Sequence, residues 1–308
     1  MLHSPTRFGE AGVGVLGKRA KLPAMAVERL PVLKTCKLFI GGKFPRTESG
    51  RTLTARHAKT GAHLAHFCQA SRKDVRDAVV AARAAVSGWS SATPYLRGQI
   101  LYRAAEMIES RADAFASEIA ASTALTPSAA RREVEAATDR FVHFAGWADK
   151  YTQVFGSVNP VATPHFNFTT PEPTGVVVAL APDTPCLLGL VGVIAPVLTG
   201  GNTVIVLASE KAPLPAMSLA EALATSDFPG GVINILTGLR AELAPTFASH
   251  MDINAIADAS GDAAVRRTLA EGAAHNLKRV HFRDATVEDG YHILDTLEMK
   301  TAWHPIGY

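Results

Sequence analysis

Residues Gly175 to Glu210 read GVVVALAPDTPCLLGLVGVIAPVLTGGNTVIVLASE, and this stretch decides the fold. Val176 to Leu180 is a short run dense in β-branched residues, which suits a strand buried on both faces. Ala-Pro-Asp-Thr-Pro then breaks the pattern. Pro185 suits the first turn of a helix, where a missing N–H costs nothing, and Thr184 is placed to cap it. From Cys186 to Leu198 nearly every position is apolar, so that helix is expected to be buried all round. Gly200-Gly201-Asn202 stops it, and Thr203 to Leu207 reads as a second buried strand. Strand, helix and strand within about thirty residues is a βαβ unit, hence a parallel sheet with a right-handed crossover.

The alternation continues downstream. Helices are predicted over Leu214–Ala224, Ala241–Ser249 and Ala263–Ala274, with strands over Val232–Leu236, Asn254–Ala257 and Leu277–Phe282. This is the signature of a doubly wound α/β domain. It stops after Arg283, and Leu297 to Pro305 reads as one final strand. Upstream, His165 to Thr169 alternates like an exposed strand. Ser71 caps a helix with Val75, Val79, Ala82 and Val86 on one face; Trp89 ends it. Pro94 starts a second, with Ile100, Ala104, Met107 and Ile108 inward and Arg97, Arg103 and Glu106 outward. Arg131 to Tyr151 is a third, with Phe141, Phe144, Ala145 and Ala148 on one face. Lys37 to Phe44 looks like a hairpin turned by Gly41-Gly42.

Composition narrows the class. The chain has 308 residues, enough to bury a large core, and its longest apolar run, broken by Pro196, is too short to span a membrane. Net charge is +3, but residues 1–34 hold six Lys/Arg against Glu10 and Glu28, so the remainder is −1. A nucleic-acid-binding body and a membrane partner are therefore not expected. Cys36, Cys68 and Cys186 lack metal or redox spacing and fit a reducing, cytoplasmic setting; no signal peptide is legible. Gly12-Val13-Gly14-Val15-Leu16-Gly17 matches G-x-G-x-x-G, but no strand precedes it, so it reads as coincidence.

Several pieces together resemble the aldehyde dehydrogenase superfamily. They are Leu38-Phe39-Ile40-Gly41-Gly42, Glu172 to Val177, Ile194-Ala195-Pro196 with Gly201 to Val204, Ser209-Glu210, Pro229 to Gly238, and Asn276 to Val280. The resemblance implies an NAD-binding-type α/β domain with N-terminal helices and a small β oligomerisation arm. On that pattern residues 1–34 are a flexible basic extension and 35–155 the N-terminal hairpin and helices. Residues 156–173 are the arm hairpin, 174–283 the Rossmann-like core, 284–296 a linker in place of the catalytic domain, and 297–308 the C-terminal arm strand.

The same resemblance locates the chemistry and its losses. Thr184 stands where the family has an oxyanion-stabilising Asn, and Arg283 where it has the carboxylate base; a guanidinium cannot act as a base. Leu207 replaces a ribose-binding Lys, while Pro182, Ser209 and Glu210 remain as remnants of the cofactor site. Asp258-Ala259-Ser260-Gly261-Asp262 replaces the glycine seat for pyrophosphate. The nucleophile has no counterpart. Cys186 follows Pro185 at a helix start and is a weak surrogate; the simpler reading is a small buried apolar residue. Glu210 likewise reads as a ribose ligand or as a capping Glu. Phe166, Phe168, Met299, Thr301 and Trp303 are the expected arm interface.

The expectation is a non-catalytic aldehyde dehydrogenase-like subunit, similar to the cysteine-less second module of two-module members. It would pair through its arm with a catalytically complete paralogue, or with itself. It would require no cofactor, with room for residual NAD binding. The alternative is an NAD-dependent aldehyde oxidoreductase working with altered groups.

Overall fold

In a computed structural model of the protein, residues 32–307 are described; those from Leu33 onward form one unit. Residues 1–31, with the Gly12–Gly17 match, lie outside them. Lys34, the last residue of the expected extension, already belongs to a strand, β1 (Lys34–Cys36), parallel to β3 (His63–Cys68). An antiparallel β2 (Thr52–Arg56) completes this small sheet, which the sequence analysis did not anticipate. Its residues are too polar and too short in run to stand out. The Lys37–Phe44 hairpin shrinks to a single bridge, Ile40 with Lys43, turned by Gly41 and Gly42 at φ 61° and 75°. Both glycines are in the left-handed region that such a turn demands.

Four helices follow: α1 (Arg72–Ser91), α2 (Pro94–Glu109), α3 (Ala112–Thr123) and α4 (Pro127–Trp147). Ser71 and Asp74 form a reciprocal capping box at α1, as the spacing predicts. Arg97 does not point outward. It is buried, donating from Nη1 to the Ala92 carbonyl at 2.6 Å and from Nη2 to the Tyr151 hydroxyl at 3.3 Å, so its stem is covered and its head is paired. The third predicted helix is two elements, because α4 ends at Trp147 and a short α5 (Tyr151–Phe155) follows.

After β4 (Ser157–Asn159) and β5 (His165–Pro173) comes the expected α/β core. Its strands are β6 (Val176–Leu180), β7 (Thr203–Leu207), β8 (Ile233–Leu236), β9 (Ala255–Asp258) and β10 (Arg279–Phe282). The order is β10-β9-β6-β7-β8, and each pairing is parallel. Val177 and Ala179 face α2, α4, α6 (Cys186–Thr199) and α7 (Leu214–Leu223). Val176, Val178 and Leu180 face α1, α8 (Arg240–Ser249) and α9 (Ala263–Ala273). Helices on both faces explain why the central strands β6 and β7 read as nearly unbroken apolar runs.

Residues 284–296 are more than a bare linker. They include a short helix, α10 (Tyr291–Leu294), and lie against the body. Arg140 of α4, itself buried, donates to the carbonyls of Ala285 (2.9 Å), Thr286 (2.7 Å) and Val287 (3.2 Å). Ala285 sits so close to α6 that a Cβ on Gly192 would collide with its carbonyl oxygen. The chain then runs into β11 (Leu297–Pro305), which pairs antiparallel with all of β5, from Leu297 opposite Pro173 to Pro305 opposite His165.

Candidate functional site

The chain runs β6, β7, β8 to one side of the sheet and then returns to place β9 and β10 on the other. The direction reverses between β6 and β9, and in an open parallel sheet a ligand binds outside the carboxyl ends of the strands at that point. The residues leaving β6 there are Ala181, Pro182 and Asp183; β9 ends on Asp258.

The crevice is organised by Arg240, the first residue of α8. Its buried guanidinium donates from Nη2 to the Ala181 carbonyl at 2.9 Å and to Asp183 Oδ1 at 2.8 Å. Its backbone N–H donates to the Glu210 carboxylate. Ser209 Oγ faces the backbone oxygen and Oδ1 of Asp183, both at 3.2 Å, and accepts from the Ala212 N–H at 2.9 Å. The Glu210 N–H donates to Asp183 Oδ1 at 3.1 Å, and Lys211 Nζ lies 3.4 Å from Oδ2. Burial pushes the Asp183 carboxyl up, but Arg240, Lys211 and Ser209 together hold it below its ordinary value. Ser209 and Glu210, the expected cofactor-site residues, are thus brought together, and their polar groups bond within the chain. Pro182 packs against Gly189 of α6. Leu207 is buried in the sheet.

The helix N-termini at this end are filled in the same way. Pro185, not Thr184, is the N-cap of α6, and no cap side chain bonds to the helix. The acceptor comes instead from α4: Glu133 Oε1, buried, takes the Leu187 N–H at 2.8 Å and lies 3.4 Å from the Leu188 nitrogen. A carboxylate accepts more strongly than a hydroxyl, which explains why Thr184 is left exposed. At α8 the acceptor is Glu210; at α9 it is Asp262, bonded to the N–H groups of Ala264 (2.8 Å) and Val265 (3.1 Å). Asp258 is fully buried, its Oδ1 accepting from the Ser260 N–H at 2.8 Å and its Oδ2 without a hydrogen-bond partner among the described residues. A dinucleotide would bring its pyrophosphate into a crevice holding Asp183, Glu210 and Asp258, at helix ends whose amides already hold carboxylates. That donor set does not fit a pyrophosphate.

Cys186 is 2% exposed. Burial, with Glu133 beside it, pushes its thiol far up, the opposite of what a nucleophile needs. Arg283 closes the far side of the sheet end. Its buried guanidinium lies 3.0 Å from Asp295 Oδ2 and donates to the His292 carbonyl at 3.2 Å, so it anchors α10. The five arm residues divide between two faces of the β11-β5-β4 sheet. In the β11–β5 register Met299, Thr301 and Trp303 sit opposite Pro171, Thr169 and Asn167, whereas Phe166 and Phe168 sit opposite His304 and Ala302. The aromatic pair packs on itself, ring centres 5.5 Å apart.

Sequence reasoning missed Arg240, Glu133 and Arg140. A signal was present. Glu133 and Arg140 fall within the apolar spacing of Ala130, Val134, Ala137, Phe141 and Phe144, where a charge is buried and must be paired. Arg240 starts a helix, where the dipole repels a cation unless a carboxylate faces it.

The "Aldehyde dehydrogenase family" model matches residues 45–288. The chain belongs to the aldehyde dehydrogenase family. Among its relatives, an aldehyde dehydrogenase of Alternaria alternata is 32% identical over 268 residues, covering 83% of this chain and 53% of that protein. Retinal dehydrogenase 2 of Homo sapiens is 34% identical over 254 residues, covering 80% and 48%. Among solved structures, the NAD+ complex of aldehyde dehydrogenase from Bacillus cereus superposes with a TM-score of 0.76 at 27% identity, over 81% of this chain and 50% of that one. PnpE in complex with nicotinamide adenine dinucleotide gives 0.77 at 30%, over 81% and 50%. This aldehyde dehydrogenase-family chain therefore spans about half the length of the relatives it matches. Among its described residues no helix is long and apolar enough to cross a membrane.

Proposed function

We propose that this chain is a non-catalytic aldehyde dehydrogenase-type subunit that docks through β11 and β5 onto a catalytically complete aldehyde dehydrogenase chain. The observation that carries the non-catalytic half is the set of carboxylates, Glu133, Glu210 and Asp262, bonded to the N-termini of α6, α8 and α9. A phosphate would have to displace hydrogen bonds to charged groups worth roughly 1.5–3 kcal/mol each, while the cations of the crevice, Arg240 and Lys211, already face Asp183. The docking half is supported by β11, a nine-residue edge strand with its second edge unpaired among the described residues. Met299 and Trp303 are exposed on it, at 45% and 58%. An edge of that length is a template for strand addition, and a Trp beside it supplies the anchor.

Two measurements test the proposal. Calorimetric titration with NAD should give no saturable binding up to about the millimolar level, and the isolated chain should form no NADH from aldehydes. A micromolar dissociation constant or measurable turnover overturns the non-catalytic half. Native mass spectrometry of the chain co-expressed with a catalytically complete homologue from the same host should give a stoichiometric complex. Persistent elution alone, as a monomer, overturns the docking half.

A further inference from the structure

A second constellation lies away from the crevice, on the β2–β3 hairpin. His63 and His66 are three residues apart on β3, and in a regular strand such residues point to opposite faces. The hairpin is not regular. The register slips between Ala55 and Arg56, so that Ala55 faces Ala65 while Arg56 faces His63, and Leu64 is the extra residue. A bulge of this kind re-aims the side chains beyond it. It puts His63, opposite Arg56, on the same face as His66, opposite Thr54. The two imidazoles converge with Nε2 to Nε2 at 3.1 Å and ring centres 4.4 Å apart.

We infer that this pair is a two-histidine binding site for a zinc-type divalent cation. Two imidazole nitrogens on a tetrahedral ion, each about 2.1 Å from it, lie about 3.4 Å apart, so the observed separation needs only a few tenths of an ångström of opening. The Thr54 hydroxyl lies 3.4 Å from His66 Nδ1; in the tautomer whose Nδ1–H donates to it, His66 Nε2 carries the lone pair that a metal ligand needs. In that tautomer, and without an ion, His63 donates its Nε2 hydrogen to that lone pair. With one, the ion replaces the shared hydrogen and His63 carries its proton on Nδ1 instead. Among the described residues that nitrogen is buried without a hydrogen-bond partner, so the exchange loses no bond there. The neighbouring cation on this face, Arg56, is drawn aside by the Gly61 carbonyl at 3.1 Å. Two protein ligands leave the remaining positions to water, which makes this an open site and not a closed structural one.

The test is Zn2+ titration of the full chain by calorimetry near pH 7.5 in a non-chelating buffer, alongside thermal melts. The chain has eleven histidines, so the decisive quantity is the difference between variants. His63→Gln and His66→Gln should each weaken the tightest Zn2+ site at least tenfold. H57Q, on the same hairpin but outside the pair, should leave it unchanged. Zn2+ should raise the melting temperature of the wild type and not of the double variant. If the variants fail to fold, the imidazole Cε1–H resonances of the wild type decide the matter: those of His63 and His66 should respond first to Zn2+. A Zn2+ isotherm and melting response shared by wild type and H63Q/H66Q, or Zn2+-silent His63 and His66 resonances, would show that the pair is a hydrogen bond only.

Discussion

Arg240 stands where a helix macrodipole repels a cation, yet it is among the most buried charges in the protein, at 6% exposure. Its burial is sustained by Asp183 and the Ala181 carbonyl, and its own backbone is held by Glu210. Removing one partner of such a pair leaves the other charge desolvated, which costs more than the pair itself contributes. Arg240→Ala should therefore destabilise the fold by about 2 kcal/mol, below the fully buried range because Asp183 keeps 21% side-chain exposure. Urea denaturation checks it, and R240M, which keeps the stem packing, should recover only part of the loss.

At the scale of elements, single side chains tie one segment to another through backbone carbonyls. Arg140 of α4 holds three consecutive carbonyls of the segment before α10. Arg140→Ala should free residues 284–296 for limited proteolysis well before the core is cut, with a stability loss of about 3 kcal/mol for the hydrogen bonds to a charged group. Lys278 does the same for α8, donating to the carbonyls of Phe247 (3.1 Å) and His250 (2.8 Å). Burial pushes its ammonium down to about 8 from 10.5. Between those values the unfolded chain binds a proton that the folded chain has lost, so this group makes stability rise with pH across that window. Melts of wild type and Lys278→Met from pH 7 to 10 should show the wild type gaining on the variant; a constant gap would refute the assignment.

At the scale of the whole molecule, β11 returns after residues 284–296 to pair with β5, so the three-stranded arm is complete within one chain. Met299 and Trp303 are exposed on one face of it. Met299→Asp with Trp303→Asp should abolish the complex proposed above while shifting stability by no more than about 1 kcal/mol, about 0.5 for each exposed position. Native mass spectrometry together with a melting curve separates loss of docking from loss of folding.

The α/β core was legible because its strands are covered on both faces: only continuous apolar runs such as Val176–Leu180 satisfy that burial, and the runs alternate with helical periods. The pairing of the last strand with the one near Phe166 was implied by the family resemblance, and the strand read over His165–Thr169 runs on to Pro173 in the structure. That Thr184, Leu207, Asp258 and Arg283 stand where the family is expected to carry other residues came from the resemblance, not from any spacing within the chain. What fills the crevice was not legible. Glu133, Asp183, Glu210 and Arg240 come from separate elements, and a charge–charge contact leaves no period in the sequence. The same holds for His63 and His66, whose common face depends on one extra residue in the hairpin register. Hydrophobic burial acts on whole segments and writes itself into their spacing; pairing of buried polar groups acts between two atoms and is decided only when the chain has folded.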